Sequence, residues 1–493
     1  MIRYVCSITH REVNLMGKRS LSQIMAGFEE GFWTLIAGAL NGDLLNGTET
    51  LKTGILAMCR EALSEAISEI DDMVNTSIER KQSGLIVQRR GDPRTVSTCI
   101  GEITFKRTYY KRKDSNEYCY VVDYLIGAEK WERLSRELSI SLIELATEMS
   151  YQKAAKHVEA NVSRQSVNNR ILSLKDVAAD IKKEQINCDE INIYVDEDHV
   201  AAHVKDGLKK SVIVPVAVAS TGMDYSTPNR PKLKNPLYLA EFGVKPDVFY
   251  DNLYSMVSRK YNLNNEPKVY IHADGGKWIQ AYEYAFPNAV FVMDGFHIEQ
   301  YLKRIRTYCD KDTAKEITRA VREGNLEYLK QQCQKALQKI TDKADREKFI
   351  KLKRYFVNNF EAIKRRQLSG VNGSCTEAMV SHVTAERLSR NGCAWSINGL
   401  GQMAMILTLY KNGGKLKKED ICVRRKKEDE DDRRTNRESN GYEKYHKYLE
   451  EEQAEIIRAV RERVMGRMSN YVIDTTSGTQ ILMKLLSKIP TIA

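Results

Sequence analysis

Apolar residues between 186 and 295 occur in short runs rich in Val and Ile, and between some of these runs they recur three or four positions apart. The first pattern favours buried strands, and the second favours helices. The predicted strands cover 191–195 (continuing towards Val204), 211–219, 237–242, 268–273 and 289–293. The predicted helices cover 246–260 and 277–285. The elements therefore follow the order strand, strand, strand, helix, strand, helix, strand.

This order is the order of an RNase H-like fold, a mixed sheet with helices on both faces. We therefore predict an α/β core of this type whose first part spans 186–295. Residues 296–370 combine helical apolar spacing with many Lys and Arg side chains and predict an all-helical insertion. Residues 371–415 predict a return to the core through a further helix. Residues 416–493 are dense in charges of both signs and predict a charged linker followed by C-terminal helices.

The chain before this core divides into three predicted regions. Residues 1–90 are helical in pattern, and residues 131–185 predict a helix-turn-helix. Residues 91–130 predict a β-hairpin module, because 95–107 alternates between β-branched and polar residues and 116–123 offers a partner strand. Two of these regions carry side chains suited to nucleic acid.

The predicted tip of the hairpin joins aromatic and basic side chains. Tyr109 and Tyr110 are flanked by four cations, which are Arg107, Lys111, Arg112 and Lys113. Such a cluster can hold phosphates and stack against bases. A hairpin tip with solvated charges has the same pattern, so both interpretations stay open.

Three short helices are predicted between 138 and 174, and Ser163 can cap the N-terminus of the last one. This last helix would expose polar side chains suited to phosphates and base edges, namely Arg164, Gln165, Asn168 and Asn169. A helix-turn-helix places such a helix in the major groove of DNA. A helical hairpin without a DNA function is the alternative.

The composition agrees with a protein that binds a polyanion. The 493 residues include 77 Lys and Arg against 66 Asp and Glu, a net charge of +11, although a solvated basic surface gives the same excess. The ten cysteines form no Cys-x-x-Cys pair, which argues against a zinc ribbon and indicates a reducing compartment. No apolar stretch has the length of a signal-peptide core or of a membrane span. We therefore expect a cytoplasmic protein without membrane contact.

Three acidic residues, far apart in the sequence, mark the candidate site. Asp196 and Asp274 each follow a predicted buried strand, and Glu377 lies at a predicted helix start. Carboxylates that converge in this way hold two divalent ions for phosphodiester chemistry, and oxygen ligands favour Mg²⁺ or Mn²⁺. Each residue alone has an ordinary structural interpretation, since Asp after a strand often forms a turn and Glu complements a helix N-terminus. The histidines lack the spacing of a compact zinc motif, and no complete phosphate-loop motif is present.

Four segments together match a known family: Tyr194-Val195-Asp196-Glu197-Asp198-His199-Val200-Ala201, His272-Ala273-Asp274-Gly275-Gly276-Lys277-Trp278-Ile279, Met293-Asp294-Gly295-Phe296-His297, and Cys375-Thr376-Glu377-Ala378-Met379-Val380-Ser381-His382-Val383 with Trp395-Ser396 downstream. On these segments the chain resembles bacterial insertion-sequence transposases of the DDE type, in particular the ISLre-type (ISLre-two) group, which is related to the Mutator transposases. The resemblance runs from about residue 95 to about residue 410.

The resemblance implies an RNase H-like core whose catalytic triad is Asp196, Asp274 and Glu377. The same three residues would hold Mg²⁺ or Mn²⁺, with two ions expected. Asp198 lies two residues further along the same strand face and is the alternative first aspartate.

Two further features follow from the resemblance. Asp294 and His297 match a short Asp-x-x-His motif of Mutator-like enzymes and are an auxiliary part of the site. In some relatives a Trp in the helical insertion stacks on an unpaired base, but this insertion contains no Trp, and Trp395 lies beyond Glu377. A hairpin-type mechanism is therefore not supported.

The leading hypothesis is a metal-dependent transposase that cleaves the ends of an insertion sequence and joins the freed 3′-hydroxyl to target DNA. Its partner would be double-stranded DNA, namely the terminal inverted repeats and the target, held by a homo-oligomer that is associated with the nucleoid when bound. An RNase H-like nuclease without strand transfer is a second hypothesis. A domesticated DNA-binding protein with an inactive core is a third, although all three carboxylates are present.

Overall fold

The computed structural model describes residues 21–40, 47–82, 84–113, 117–128, 130–174, 185–203, 208–227, 231–371, 373, 376–390 and 392–421. Residues 1–20 of the predicted N-terminal region and 422–493 of the predicted C-terminal region therefore lie outside the described residues. The described residues form two compact units. The first takes in the residues up to 173 apart from 147–149, together with 421, and the second takes in 147–149 and 174–420.

The first unit combines helices with a small antiparallel sheet. Its helices are α1 (Leu21–Leu40), α2 (Thr48–Thr76), α3 (Ile78–Gln82), α4 (Val121–Leu125), α5 (Arg136–Glu148), α6 (Tyr151–Lys156) and α7 (Arg164–Leu172). Its strands are β1 (Leu85–Thr98), β2 (Gly101–Arg112) and β3 (Tyr118–Cys119), paired in that order. Helix α2 packs along β2, where Ile67 and Val74 join two small apolar cores with Ile103, Phe105 and Tyr110.

The hairpin differs from the prediction in the position of its turn. The pattern predicts one strand over 95–107, but the chain turns at Cys99 and Ile100, and the two halves pair with each other. Gly101 has a φ of 108°, and the Thr98 hydroxyl donates a hydrogen bond to the Gly101 carbonyl (2.8 Å). β-Branched and polar residues alternate with the same period before and after this two-residue turn, so the sequence pattern does not reveal it.

The predicted partner strand over 116–123 is also shorter than expected. Only Tyr118–Cys119 pairs with β2, and the chain enters α4 at Val121. Val121, Val122 and Leu125 are all buried in the cores beneath β2, at the spacing of a helix rather than of a strand. Because residues on both sides of this segment are buried, it forms a helix although its β-branched residues favour a strand.

The three helices predicted between 138 and 174 are confirmed as α5, α6 and α7. Ser163 caps α7 as expected, since its side chain accepts a hydrogen bond from the backbone N–H of Ser166 (3.1 Å). Val167 and Ile171 are buried, which leaves the opposite side of α7 to solvent.

The second unit contains a mixed sheet. Its strands are β4 (Glu190–His203), β5 (Lys209–Ser220), β6 (Met223–Asp224), β7 (Lys232–Leu233), β8 (Leu237–Ala240), β9 (Lys268–Ala273), β10 (Val290–Met293) and β11 (Trp395–Ser396). The order across the sheet is β10-β9-β4-β5-β8, with β11 paired to the far end of β4, while β6 and β7 pair with each other. Strands β4, β5 and β8 are antiparallel neighbours, whereas β9 and β10 run parallel to β4.

The five longer strands of this sheet occur within a few residues of their predicted positions. Strand β4 runs through Asp196 to His203, as the predicted continuation implies, although Val204 lies outside the described residues. The predicted helix over 277–285 is a 3₁₀ helix (Lys277–Ala281) followed by the short α9 (Tyr282–Ala285).

One face of the sheet is covered by α8 (Pro246–Lys260). Phe249, Tyr250 and Leu253 of α8 form the main apolar core with the odd-numbered residues of β4, among them Ile191 and Ile193. Side chains alternate along a strand, so the even-numbered residues of β4 lie on the opposite face. That face carries the candidate site.

The predicted insertion is helical, as expected. It consists of α10 (Gly295–Ile305), α11 (Lys311–Arg322), α12 (Leu326–Lys339), α13 (Lys343–Asn358) and α14 (Phe360–Lys364). These helices share an apolar core of their own, which includes Leu302, Ile317, Leu329, Phe349 and Phe356. Between residues 296 and 370 there are 19 Lys and Arg against 10 Asp and Glu, so the insertion carries most of the net positive charge of the chain.

The chain then returns to the sheet through α15 (Thr376–Val380), a π-helical turn (Ser381–Ala385), α16 (Glu386–Leu388), β11 and α17 (Ile397–Lys411). Helix α15 contacts β4, and α17 contacts β8. In the part of the chain that the structure describes, no helix is both long enough and apolar enough to cross a membrane.

Candidate active site

Three aspartates lie level with one another beyond the last paired residues of the parallel strands. Tyr194 of β4 pairs with His272 of β9, and His272 pairs with Val292 of β10. Two residues beyond these positions each segment carries an aspartate, namely Asp196, Asp274 and Asp294. The backbone N–H of Asp294 donates to the carbonyl of Ala273 (2.9 Å), so β10 and β9 stay aligned to this point. The sheet thus brings two predicted catalytic aspartates beside the predicted auxiliary one.

The carboxylates of this cluster interact electrostatically. The pKa of Asp196 is raised to about 6, mainly by burial and in part by the nearby carboxylates of Asp274 and Asp294. The backbone N–H of Glu197, which donates to Asp196 (2.9 Å), and the neighbouring His297 oppose this shift. A proton or a bound cation relieves the repulsion of like charges in such a partly dry site.

Asp294 and His297 form a hydrogen-bonded pair beside these carboxylates. The Asp294 side chain is fully buried and caps α10, accepting hydrogen bonds from the backbone N–H groups of Phe296 (3.0 Å) and His297 (3.2 Å). The same oxygen lies 3.2 Å from Nδ1 of His297. This hydrogen bond and the charges of Asp196, Asp294 and Asp274 raise the pKa of His297. In its protonated form, which this shift favours, the ring supplies a positive charge at the edge of the acidic cluster.

The backbone holds the carboxylate of Asp274 in place. One oxygen accepts a hydrogen bond from the N–H of Gly276 (2.8 Å), so Asp274 is also the turn former that its position suggests. Gly275 has a φ of 86°, and a Cβ added there would lie 3.2 Å from Cε of Met293. The pair of glycines therefore allows the chain to turn sharply directly after the carboxylate.

Buried polar side chains form a layer next to the aspartates, on residues of β4 and β9 that precede Asp196 and Asp274. Nε2 of His272 lies 2.7 Å from Oδ1 of Asn192, and the ring of Tyr194 stacks on that of His272 at 4.5 Å. Burial, together with the positive charge of Arg366, lowers the pKa of His272 to about 3. The imidazole is therefore neutral at physiological pH. Its contacts with Asn192 and Tyr194 link β9 to β4 without adding charge to the site. The alternation of residues along β4 places Asn192, Tyr194 and Asp196 on one face and could have indicated this layer from the sequence, although it was not predicted.

The same layer anchors the segment that leads to Glu377. Asn192 donates to the carbonyl of Gly370 (3.1 Å), and the Tyr194 hydroxyl donates to the carbonyl of Gly373 (3.2 Å). Helix α15 begins three residues later, so Glu377 lies in a helix that is tied to the aspartate face of β4. The side chain of Glu377 itself lies outside the described part of the chain.

Asp198, the alternative first aspartate, lies on the same face as Asp196. Its side chain is buried, and Oδ2 has no hydrogen-bond partner among the described residues. Pairing between β4 and β9 ends at Tyr194, so Asp196 is level with Asp274, and Asp198 lies two residues further along β4 beside β5. The register therefore favours Asp196 as the partner of Asp274. Asp198 remains a buried carboxylate without a described structural function.

No three His, Cys, Asp or Glu side chains are arranged as a metal site within the described residues. Asp196 and Asp274 supply two carboxylates of the predicted set, and the third predicted ligand is a side chain that is not described.

The predicted DNA-contacting residues of α7 form one surface. Arg164, Gln165 and Asn169 are exposed, and Asn168 is half-buried. Nε2 of Gln165 donates to Oδ1 of Asn169 (3.0 Å), so these two amides form one hydrogen-bonding edge along the helix.

The predicted basic-aromatic cluster of the hairpin is divided between two faces. Tyr110 is fully buried in the core, whereas the ring of Tyr109 stacks on that of Tyr118 (centroids 5.3 Å apart) and contacts that of Tyr120 at a tilt of 38° (4.7 Å). Arg107 is paired with Asp123 and covers the ring of Tyr120, which gives it an internal partner. Tyr109 and Tyr110 are neighbours in a strand, so their side chains lie on opposite faces of the sheet, and the prediction of one joint aromatic cluster was wrong.

Three further cations of this sheet lie on β1 and near the end of β2. Lys111 lies 5.7 Å above the ring of Tyr118, and Arg112 is half-buried. Arg89 of β1 lies 5.2 Å above the ring of Tyr109 and forms a two-pronged ion pair with Asp92 (2.6 Å for each hydrogen bond). The sequence pattern did not indicate Arg89, because its register with Tyr109 depends on two irregularities in β1. On this surface Lys111 and Arg112 therefore lie beside the tyrosines, whereas Arg89 has an internal partner.

Replacing Asp294 with Ala should lower stability by about 1–3 kcal/mol, because the N–H groups of Phe296 and His297 lose a buried acceptor. The pKa of His297 should fall, because its main partner is gone. Urea unfolding and NMR titration of the His297 ring measure the two effects. Asp310→Ala is the matched control, since Asp310 caps α11 in the same way through the N–H of Thr313 (2.9 Å). An unchanged pKa of His297 in Asp294→Ala would contradict the described pairing.

The sequence profile of UPF0236, an uncharacterised protein family, matches residues 43–426. The chain belongs to this family. A UPF0236 protein of Caldanaerobacter subterraneus subsp. tengcongensis is 31% identical over 363 residues, which cover 73% of this chain and 76% of the relative. A second UPF0236 protein of that bacterium is 31% identical over 389 residues, covering 76% of this chain and 81% of the relative.

A more distant relative comes from another genus. The UPF0236 protein of the vanSb 3′ region of Streptococcus gallolyticus is 24% identical over 392 residues, covering 76% of this chain and 83% of the relative. Three of the Caldanaerobacter relatives have names that contain more than one designation of that bacterium, and one of these names contains eleven.

Proposed function

We propose that this protein is a metal-dependent DDE-type transposase, which cleaves the ends of an insertion sequence and transfers the freed strands to target DNA. The observation that carries the proposal is the level arrangement of Asp196, Asp274 and Asp294 on adjacent strands, with the helix of Glu377 tied to the same sheet face. An acidic group of this kind serves phosphodiester chemistry when it holds divalent ions.

The topology of the sheet supports an RNase H-like core. Three antiparallel strands are followed by two that run parallel to the first, and the first strand lies in the centre in the order β10-β9-β4-β5-β8. In this arrangement the residues that follow parallel strands meet at one edge of the sheet. The helical insertion between β10 and α15 separates the second aspartate from Glu377 in sequence, as the resemblance to DDE transposases implies.

The donor set fits a hard divalent cation. The oxygens of Asp196 and Asp274, with Glu377 as the third proposed ligand, are the ligand type of Mg²⁺ and Mn²⁺. Burial, with smaller contributions from Asp274 and Asp294, raises the pKa of Asp196, and Oδ2 of Asp198 has no hydrogen-bond partner among the described residues. A bound cation would stabilise the ionised form of these buried carboxylates. Bound ions would supply activation of the attacking oxygen and stabilisation of the leaving oxygen.

The residues around these carboxylates have defined tasks in this proposal. The N–H groups of Glu197 and Gly276 orient the carboxylates of Asp196 and Asp274. His297 is held by Asp294, and in its protonated form it would present a positive charge to a phosphate oxygen in the same region. The basic insertion and the surfaces of α7 and the hairpin would contact DNA phosphates and bases.

The relatives add an independent argument. One name joins eleven designations within a single bacterium, and two other names join four and two designations. We interpret this as one protein encoded at many places in a genome. Multiplication of that kind is what a mobile element produces, whereas a cellular nuclease or a domesticated DNA-binding protein has no such tendency.

A strand-transfer assay tests the proposed function. The purified protein would be incubated with Mg²⁺ or Mn²⁺, a labelled DNA that carries the end of the element, and a supercoiled target plasmid. Joined products are expected, with the label covalently attached to the target. Cleavage without joining would support an RNase H-like nuclease instead, and binding without cleavage at any metal concentration would support an inactive core.

The surface of α7 should discriminate between DNA sequences. Gln165→Ala or Asn169→Ala is expected to reduce the preference for end DNA over random DNA by roughly 1–3 kcal/mol, because amide side chains read base edges. Lys111→Ala should weaken binding to both DNAs equally and make the salt dependence shallower, since it contacts phosphates. Affinities for both DNAs across a salt series measure the two effects. An equal loss for both DNAs in the α7 variants would mean that recognition of the ends lies elsewhere.

A further inference from the structure

The two predicted catalytic aspartates lie beyond the regular pairing of their strands. Strand β4 pairs with β9 as far as Tyr194 and His272, and Asp196 and Asp274 each follow two residues later. Hydrogen bonds between paired strands fix the separation of the residues within them. Beyond the last pair, other contacts have to set the distance between the two carboxylates.

A hydrogen bond between side chains crosses from one segment to the other at this point. Nε1 of Trp278 donates to Oε2 of Glu197 over 3.0 Å, and both side chains are half-buried. Glu197 directly follows Asp196, and Trp278 lies four residues after Asp274. The hydrogen bond therefore joins the chain just after the first aspartate to the chain just after the second.

The two partners belong to the turns that hold the aspartates. The backbone N–H of Glu197 donates to Oδ1 of Asp196 (2.9 Å), and the backbone N–H of Gly276 donates to Oδ1 of Asp274 (2.8 Å). Trp278 lies in the 3₁₀ helix that begins directly after Gly276. A shift of the indole relative to Glu197 would therefore move the two amide groups that orient the carboxylates.

The ring of Trp278 is fixed by the apolar core on the side of α8. Its centroid lies 6.1 Å from that of Phe249 and 6.4 Å from that of Tyr250, and both of these residues are fully buried. The substitution Trp278→Phe keeps much of this aromatic packing but has no N–H to donate. One substitution can therefore separate the packing of this side chain from its hydrogen bond.

Both oxygens of the Glu197 carboxylate have partners. Oε2 accepts from Trp278, and Oε1 lies 3.3 Å from Nε2 of His199. Glu197 belongs to the odd-numbered residues of β4, which lie on the α8 side of the sheet, whereas Asp196 lies on the opposite side. Glu197 is therefore adjacent to the carboxylate cluster without sharing its face of the sheet.

We propose that Trp278 and Glu197 are positioning residues, whose hydrogen bond sets the separation of Asp196 and Asp274 so that both carboxylates can hold the same divalent ion. This inference rests on the proposed function for the identity of the ligands and of the ion. A ligand that is held in place before binding loses less freedom when the ion arrives, so the affinity for the ion is higher.

The test measures Mn²⁺ affinity by electron paramagnetic resonance, with the full-length protein and without DNA. Trp278→Phe and Glu197→Ala should each weaken Mn²⁺ binding by about 10–100-fold, the usual effect of losing a partner of a metal ligand. Glu197→Gln keeps an oxygen that can accept the indole N–H, so it should bind Mn²⁺ nearly as tightly as the wild type. This rescue distinguishes a positioning residue from a metal ligand, whose charge is required.

Trp395→Phe is the matched control. The indole N–H of Trp395 donates to the carbonyl of Leu388 over the same 3.0 Å, but Trp395 pairs with Ala202 of β4, six residues beyond Asp196. Trp395→Phe should leave Mn²⁺ affinity unchanged.

The NMR signal of the Trp278 indole N–H gives a second readout, in the protein without added metal. This signal should move upfield in Glu197→Ala, because the hydrogen bond is lost, and should stay near its wild-type position in Glu197→Gln. An unchanged Mn²⁺ affinity in Trp278→Phe would overturn the inference. It would also be overturned if Glu197→Gln bound Mn²⁺ as weakly as Glu197→Ala.

The inference and the proposed function can fail separately. In cleavage of end DNA, Trp278→Phe should need a higher Mg²⁺ concentration for its half-maximal rate and approach the wild-type rate at saturating Mg²⁺. Strand transfer by the wild type with an unchanged Mg²⁺ dependence in Trp278→Phe would overturn the inference and support the proposed function. A wild-type protein that binds Mn²⁺ but neither cleaves nor joins DNA would overturn the proposed function, while weaker Mn²⁺ binding by Trp278→Phe would still support the positioning role.

Discussion

Asp274→Asn should abolish DNA cleavage and strand transfer while leaving DNA binding intact. Asparagine keeps the size of the side chain and can still accept the hydrogen bond from the N–H of Gly276. It removes the negative charge that would hold a divalent ion. Loss of an outer-shell partner of a metal costs roughly 10–100-fold, so loss of a direct ligand should exceed about 100-fold.

The measurement is a cleavage time course on labelled end DNA, with affinity measured in parallel. Mg²⁺ and Mn²⁺ should support cleavage by the wild-type protein, whereas Ca²⁺ should support binding with little turnover, because its coordination is looser. Asp251→Asn is the matched control, since Asp251 is an exposed aspartate of α8 on the other side of the sheet. Full cleavage by Asp274→Asn would remove the central argument for the site.

Asp196→Asn should also abolish cleavage, and it should at the same time stabilise the metal-free protein at alkaline pH. The folded protein raises the pKa of Asp196 to about 6 from the ordinary 3.8, so protonation of this group favours the folded state. Its contribution to stability is complete below about pH 4 and is lost as the pH rises through 6. Asparagine stays neutral, so the variant should gain up to about 3 kcal/mol at pH 8 and nothing below pH 4.

Unfolding curves of wild type and Asp196→Asn at pH 4 and pH 8, both in the presence of a chelator, measure this gain. Mg²⁺ should then raise the melting temperature of the wild type and have little effect on the variant, because ligands stabilise the state that binds them. A variant that is less stable than the wild type at pH 8 without metal would contradict the described burial and repulsion.

The same assay decides between the two candidate first aspartates. Asp198→Asn should only reduce cleavage, because Asp198 lies two residues beyond the level of Asp274. The opposite ranking of Asp196→Asn and Asp198→Asn would move the site by one pair of residues along β4.

The sequence predicted the elements of the second unit well, because their patterns depend on local rules. Strand β9 and helix α8 have the predicted limits, since each buries one continuous run against the same core. The helical insertion and the cap at Ser163 followed from apolar spacing and from hydrogen-bonding side chains at a helix start. In the hairpin, β-branched and polar residues alternate without interruption through Cys99 and Ile100, so the sequence pattern did not predict the short turn at these two residues.

Local sequence patterns were sufficient to identify the acidic residues that follow apolar runs, most helices of the second unit, and the segments rich in positive charge. The register of parallel strands depends on pairing between distant segments, so the level arrangement of Asp196, Asp274 and Asp294 is visible only in the folded protein. The folded protein likewise shows that Arg107 pairs with Asp123, that burial favours the neutral form of His272, and that Arg366 and Arg390 line one cavity. Each of these facts is a contact across long sequence separation, and no local pattern of apolar and polar residues encodes such a contact.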